Sequence, residues 1–451
     1  MAAPDPSSSA SASAPPADAA APVRDEELDA LFAPLVSFPV AILAVSGGAD
    51  SIALMHLASR WARSSAQPPK LVVATVDHGL RQASRAEAEW VAGQARALGL
   101  EHAILTWAGS KPATGIQDAA RAARYGLLAE FARKVAAAQP VAIVTAHTED
   151  DQAETLLMRL ARGSGLDGLA AMSERRGLDE GVVLLRPLLA VAGARLRATL
   201  TAAQHPWIED PSNDAERFER VRLRKGQALL VDLGLANEKI ALSARRLERA
   251  RKALDAGTRA LAQSARVELH AGAFASFDHA VWLAAPEELR LRLLARLVAS
   301  YGGQSQPVRL AQLEALADRL ARPGFEGATL AGAAVALHGA DVRVLREAGR
   351  TALPTLALQA GASAVWDGRF RVHAASDAGP DIDVRALGLP AFARLRQQLD
   401  MPRDLPARAA ATLPAFWRGE ALIFVPTLAA LGAVSPAWGT ALRLYSAEFL
   451  A

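Results

Sequence analysis

Between residues 39 and 200 the chain alternates short apolar runs with longer stretches whose apolar positions recur at helical spacing. The runs are 41–45, 71–76, 102–107, 141–145 and 182–185, each bounded by turn residues or charge. Runs of this length read as strands buried on both faces, and repeated strand-helix units assemble a parallel sheet. The fold expected for residues 24–220 is therefore α/β, a doubly wound, mostly parallel, Rossmann-like sheet. Its ligands should bind at the carboxyl ends of the strands, where the βα loops emerge. After about Val221 the pattern becomes Leu and Ala at helical spacing with many Arg, as in 240–254 and 289–299, predicting a helical domain over 221–350. Scattered Pro and Gly and short alternating runs, 370–373 and 421–425, predict a small mixed α/β domain over 351–451. The polar, Pro-containing stretch 210–220 reads as the boundary between the first two domains. Residues 1–23 are mostly Ala, Ser, Pro and Asp with no cation before Arg24, which fits neither a signal nor a transit peptide. They carry too little aliphatic surface to offset ordering entropy and read as a disordered tail.

Composition narrows the chemistry. The 451 residues include no Cys, which excludes disulfides, Cys-ligated zinc, iron–sulfur clusters and a Cys nucleophile. The hydrophobic fraction of 51% is largely Ala, and no run of about 18 uncharged apolar residues exists, so no membrane span and a cytoplasmic location are expected. A net charge of +3 is weak evidence for an RNA partner, and its distribution says more. One basic cluster comprises Arg217, Arg220, Arg222, Arg224 and Lys225, and another Arg245, Arg246, Arg249, Arg251 and Lys252. Such clusters could neutralise RNA phosphates, or they could be helix-surface arginines paired with Glu216, Glu219 and Glu248.

Candidate chemistry sits where the strands end. Ser46-Gly47-Gly48-Ala49-Asp50-Ser51 follows the first strand and precedes a helical pattern. Adjacent glycines admit an anion close to the backbone, and two hydroxyls and a helix N-terminus supply donors. The loop is neither a Walker A motif nor GxGxxG, and a plain βα turn capped by Asp50 is the ordinary alternative. Asp77-His78-Gly79-Leu80-Arg81 ends the second strand, where a nucleoside could rest or a polar cap could close a turn. Arg121 and Arg124 are i, i+3 neighbours on the helix opened by Gly115, suited to phosphate or simply to solvent. His147, Asp151 and Glu154 are spaced four and three apart, so within a helix they share a face. Two carboxylates so placed suit the ammonium of an amino acid, or a divalent cation with its waters. Thr148 and Asp151 also match a capping box, which leaves His147 and Glu154 unexplained.

In their order along the chain, SGGADS, DHGLR, AARAARY, AHTEDDQAET, RGSGLDGL and WIEDPSN resemble the tRNA(Ile)-lysidine synthetases of the PP-loop (N-type ATP pyrophosphatase) superfamily. The resemblance is dense from residue 41 to 225 and general in layout beyond. It implies an ATP-dependent ligase that joins L-lysine to C2 of the wobble cytidine in the CAU anticodon of tRNA(Ile), through an adenylated intermediate, releasing AMP and pyrophosphate. It implies that Ser46, Gly47, Gly48, Ala49, Asp50 and Ser51 hold phosphates, with Mg2+ at Asp50, and that Asp77, His78 and His147 border the nucleotide. Asp151 and Glu154 would position lysine, and Arg121, Arg124 and Arg222 would contact nucleotide, cytidine or its phosphate. The chain departs from the family pattern in carrying Thr148 for a second His, and Val221 for an Asn within the arginine motif.

Two other readings stand beside it. A thiolase of the same superfamily commonly relies on cysteines, which are absent here. A noncatalytic nucleotide sensor or RNA-binding module would bind nucleotide without releasing pyrophosphate. Homo-oligomerisation is compatible with the sequence and is not specified by it.

Overall fold

The computed structural model describes residues 21–80, 83–109, 111–112, 114–137, 139–209, 219–304, 308–349, 352–379, 382–433, 435 and 438–450, with Arg220 and Val221 in backbone only. Arg81, Arg217 and the Pro211-Ser212-Asn213 part of the boundary stretch lie outside the described residues, as does the amino-terminal tail to residue 20. The chain divides into two compact units, meeting in sequence at Arg251 and Lys252.

The first unit contains α1 (Asp25–Phe32), β1 (Val40–Ala44), α2 (Ala49–Ser64), β2 (Lys70–Asp77), α3 (Ser84–Ala97), β3 (Glu101–Thr106), α4 (Ile116–Ala136) and β4 (Val141–Val144). It continues through α5 (Glu149–Ala161), α6 (Leu166–Leu169), β5 (Arg175–Asp179), β6 (Val182–Leu185), α7 (Gly193–Ala202), α8 (Glu219–Lys225), α9 (Gln227–Asp232) and the start of α10 (Asn237–Ser264). The sheet order is β3-β2-β1-β4-β6-β5, parallel except for β5, which runs antiparallel to β6. All five runs read as strands are strands. The edge strand β5, with sequence RRGLD and four of its five residues exposed, has no apolar run to announce it.

Alternation along β1 builds the two layers. Ala41 and Leu43, with Val73 of β2 and Val144 of β4, pack against Ile52, Leu54 and Leu57 of α2, Val91 of α3 and Leu196 of α7. Val40, Ile42 and Ala44 face the other way, onto Leu128, Ala129, Ala132 and Ala136 of α4. Leu43 is fully buried, and truncating it to Ala would cost about 2–5 kcal/mol. Strand order reverses between β1, flanked by β2, and β4, so the crevice of this doubly wound sheet opens at the carboxyl ends of β1 and β4. The tail assignment extends too far, because residues 21–23 are pinned to α7. Val23 is buried and its N–H donates to Thr199 Oγ1 at 2.9 Å, while the carbonyls of Ala21 and Pro22 accept from Arg195.

In the second unit, β7 (Phe274–Asp278), β8 (Ala328–Leu330), β9 (Ala333–His338) and β10 (Asp341–Arg346) form an antiparallel sheet in the order β7-β10-β9-β8. Val335, Val342 and Val344 of that sheet pack under α11 (Glu287–Gly302) and α12 (Leu310–Leu320). These strands were not read from the sequence, where the Leu and Arg periodicity of the helices dominates. Beyond residue 355 lie a four-stranded and a three-stranded sheet around one core, which include the expected strands at Phe370–Ala374 and Ala421–Phe424. Arg369 is fully buried there, held by Asp367 at 2.7 Å, which also pairs with Arg346 at 2.9 Å.

Candidate active site

The loop between β1 and α2 is a nest organised by one hydroxyl. Ser51 Oγ accepts from the N–H groups of Ser46 and Gly47, at 3.2 and 3.1 Å, and donates to the Gly48 carbonyl at 2.9 Å. Gly48 caps α2, and Ala49 and Asp50 form its first turn. Only Gly47 needs to be glycine for the protein's own sake: its φ is +98°, and a Cβ there would lie 2.9 Å from Ile208 Cδ1 and 3.3 Å from Val91 Cγ2. Ile208 is held at this distance because its N–H donates to the Gly47 carbonyl at 3.0 Å, so the described part of the Trp207-Ile208-Glu209 string braces the loop. A Cβ on Gly48 would meet nothing within 4 Å, so open space lies before the α2 N-terminus.

Asp50 stands one residue into α2. Its Oδ1 is buried and has no hydrogen-bond partner. Burial pushes the carboxyl up to about 6, reinforced by the charges of Asp151 and Asp150 and opposed by Arg197 and Arg224. Asp50 thus shares one electrostatic neighbourhood with the first turn of α5, the helix after β4, as the sheet's switch point requires.

Thr148 is the N-cap of α5, with φ −110° and ψ 179°, so His147 stands outside the helix and the expected three-residue helical face is corrected to two. The capping box is real. Thr148 N–H donates to Asp151 Oδ2 at 2.9 Å, and Asp151 N–H donates to Thr148 Oγ1 at 3.4 Å. His147 Nδ1 lies 2.9 Å from Thr145 Oγ1, fixing the ring against the end of β4. Glu154, one turn on from Asp151, is buried and pairs with Arg224 of α8 through contacts of 2.5 and 3.4 Å. Burial alone would lower the Arg224 pKa, but the hydrogen bond to Glu154 and the nearby charges of Glu154, Asp151 and Asp50 raise it overall. Arg224 of the basic motif therefore faces the acids. The sequence places it in a patch without singling it out, and the candidate Arg222 is, like Arg224, exposed.

Asp150 was passed over between two more conspicuous residues. Its Oδ2 accepts from Gly193 N–H at 2.9 Å and its Oδ1 from Asn237 Nδ2 at 2.7 Å, so the starts of α7 and α10 meet the start of α5 on one carboxylate. Beside it Arg245 approaches Glu149 at 3.7 Å, and Ile240 and Ala244 pack on Ala153 and Leu156. This seam seats α10 on α5. Arg251 pairs with Glu248, whereas Arg246 and Arg249 are exposed.

At the ends of β2 and β3, Asp77 Oδ1 accepts from Gly79 N–H and Ser84 Oγ, at 2.9 and 2.5 Å. The Ser84 bond is the main reason its pKa falls, with the Gly79 N–H and the Arg85 and His78 charges adding. His78 is half-buried against the edge of Trp107, and burial followed by the Arg124 charge lowers its pKa. Lys111 Nζ lies 4.7 Å over the Trp107 ring. Arg124 is partly buried and Arg121 exposed above Tyr125 at 5.2 Å. The geometry thus gathers Ser46, Gly47, Gly48, Ala49, Asp50 and Ser51 around one loop, with Asp151, Glu154 and Arg224 near Asp50. His78 and Arg124 form a second group with Asp77.

Among the described residues, no group of three or more His, Asp or Glu converges as a metal site, and no helix is long and apolar enough to cross a membrane.

A six-stranded sheet with a glycine-rich nest at its switch point and acids on the facing loop defines a PP-loop domain, and the family model described as PP-loop domain matches residues 22–229. A tRNA(Ile)-lysidine synthase from Bradyrhizobium sp. strain BTAi1 is 44% identical over 342 residues, covering 72% of this chain and 94% of its own. One from Ruegeria pomeroyi is 38% identical over 415 residues, covering 91% and 92%. The chain belongs to the tRNA(Ile)-lysidine synthase family.

Proposed function

We propose that the chain uses ATP to join L-lysine to C2 of the wobble cytidine in a CAU-anticodon isoleucine tRNA, working in the cytoplasm on the free tRNA. The observation that carries this reading is one neighbourhood in which an anion nest, Asp50, and the pair Asp151 and Glu154 with Arg224 come together. An activated phosphate and an ammonium group need these opposite environments side by side.

C2 of cytidine carries no adequate leaving group. Attack of the cytidine O2 on the α-phosphate of ATP forms an O–P bond and expels pyrophosphate. The neutral ε-amine of lysine then attacks C2, the C–O bond breaks, and AMP leaves with the oxygen. The nest from Ser46 to Ser51 holds the β- and γ-phosphates, with the open space before Gly48 admitting them to the backbone N–H groups. Asp50 suits a hard divalent cation such as Mg2+, because its buried Oδ1 lacks a protein partner. Bound there, the ion would neutralise charge on the departing pyrophosphate. Glu154, oriented by Arg224, holds the lysine ammonium, and Asp151 beside it is placed to take the amine's proton. Asp77, His78 and His147 border the nucleoside, while Arg121, Arg124 and Arg222 contact nucleotide or RNA phosphate.

The test is incubation of the full chain with ATP, labelled lysine and isoleucine or methionine tRNA transcripts bearing CAU. Label in the isoleucine transcript with stoichiometric AMP and pyrophosphate supports the reading. Nucleotide binding without pyrophosphate release would instead mark a noncatalytic module.

A further inference from the structure

Helix α7 brings a second positive element to the phosphate loop that neither the nest nor the acids of α5 account for. Its first residue, Gly193, sits so close to the site that a Cβ there would lie 2.9 Å from Asp150 Oδ2, 3.6 Å from Asp50 Oδ1 and 3.7 Å from Arg197 Nη2. Arg197 follows Gly193 by four residues, one helical turn along the same face. The last two distances share an origin, so Arg197 Nη2 and Asp50 Oδ1 lie within about 7 Å of one another. They are nevertheless not an ion pair. The Arg197 guanidinium is exposed and makes no hydrogen bond or ion pair among the described residues, although its charge is felt at Asp50.

Other arginines nearby are spoken for. Arg195, two residues earlier, makes a bidentate pair with Glu27, and Arg224 pairs with Glu154. A cation and a buried, partnerless carboxylate oxygen that lie within about 7 Å without pairing are placed to share one bridging group. A phosphate oxygen suits that role, because it can accept from the guanidinium on one side and share a cation or water with the carboxylate on the other.

We propose that Arg197 is a phosphate-binding residue of this site, gripping the terminal phosphates of ATP and then the pyrophosphate they become. The assignment rests on the reading of the β1–α2 loop as the ATP site. Arg197 holds the leaving group beside Asp50, in line with a role in stabilising charge as the α–β bond breaks. The adenosine end of the nucleotide lies towards His78 and gains nothing from it.

Isothermal titration calorimetry of the full chain with inorganic pyrophosphate and, separately, with AMP, both with Mg2+, tests this. Arg197→Ala should weaken pyrophosphate by about tenfold to a hundredfold, the loss of one or two charged hydrogen bonds, and leave AMP within about twofold. Arg197→Lys should fall between, since a point charge replaces a fork. Arg63→Ala, which removes an equal charge at the far end of α2, should change neither. Unchanged pyrophosphate affinity in Arg197→Ala, or an equal loss for both ligands, overturns the proposal. Failure of the unmodified protein to bind pyrophosphate at all would overturn the ATP-site reading instead.

Discussion

The pair formed by Glu154 and Arg224 makes the sharpest test of how the site is built. The Glu154 side chain is 7% exposed and that of Arg224 48%, and they meet through two charged contacts of 2.5 and 3.4 Å. A hydrogen bond to a charged group contributes about 1.5–3 kcal/mol, and with one partner half in water the whole pair is discounted to about 2 kcal/mol. Removing the arginine alone does more harm, because it takes the Arg224 charge away from a buried carboxylate. Arg224→Ala should therefore cost about 3 kcal/mol, whereas Arg224→Ala with Glu154→Gln should cost only about 1–2 kcal/mol. The resulting coupling of roughly 2 kcal/mol is readable from urea unfolding of the two single variants, the double variant and the parent. Function should not follow stability. Lysine incorporation should fall about a hundredfold in every variant, since the lysine ammonium loses either its carboxylate or the group that aims it, while AMP release falls by less than about tenfold. Additive stabilities would show that the ion pair carries no weight. Recovery of lysine incorporation in the double variant would show that Glu154 is structural.

Gly47→Ala should reduce ATP affinity at least about tenfold, because a positive φ and the contact with Ile208 both oppose a Cβ; Gly48→Ala should bind ATP poorly yet unfold at the parent's midpoint, as its Cβ meets only ligand space. His56, 5.2 Å from His205, is held down to about 4, by burial first and then by the charges of His205, Arg60 and Arg63. A depressed histidine pKa stabilises the fold fully above pH 6.5 and less as pH falls from there towards 4; discounted for partial exposure, the loss is about 1–2 kcal/mol. The stability gap between parent and His56→Leu should accordingly narrow between pH 7.5 and 5, and parallel urea curves at the two pH values would refute it. Replacing Arg246 and Arg249 by Ala should weaken tRNA binding and flatten its salt dependence by up to about two counterions, and an unchanged salt slope would mark them as a solvated helix face.

The layers of the first unit were legible because burial on both sides leaves the inner strands no room for polar residues, and the half-buried edge strand β3 still carries the apolar run Ala103-Ile104-Leu105. Five apolar runs therefore became five strands within one or two residues. Strand β5 escaped because it needs only its backbone: its exposed Arg175 and Arg176 pair with β6 at the sheet edge, where side chains carry no instruction. The strands of the second unit escaped for a related reason. Ala333–His338 reads AAVALH, and alanine neither favours the pleat nor marks a face, so neighbouring helical periodicity overwrote it.

The site was legible to the extent that its residues are contiguous. Each βα loop is a local string, so the nest from Ser46 to Ser51 and the capped turn at Thr148 and Asp151 could be read directly. Arg224, Arg197 and Asn237 reach the same centre from 70, 147 and 87 residues away from Glu154, Asp50 and Asp150 respectively, distances along the chain across which no spacing rule operates. Of these only Arg224 lay in a recognisable pattern, a run of several arginines in which nothing local marks the one that reaches Glu154; that depends on where α8 meets α5. Arg197 had no signal at all, since an arginine on an amphipathic helix is ordinary until a glycine one turn earlier lets that helix end close on a carboxylate. The physical cue was Gly193, which opens α7 with no side chain and whose N–H is already committed to Asp150. A glycine at a helix start is commonplace in sequence. It becomes informative only when a Cβ there would lie 2.9 Å from Asp150 Oδ2 and 3.7 Å from Arg197 Nη2, because the second distance shows how near the guanidinium one turn away has been brought.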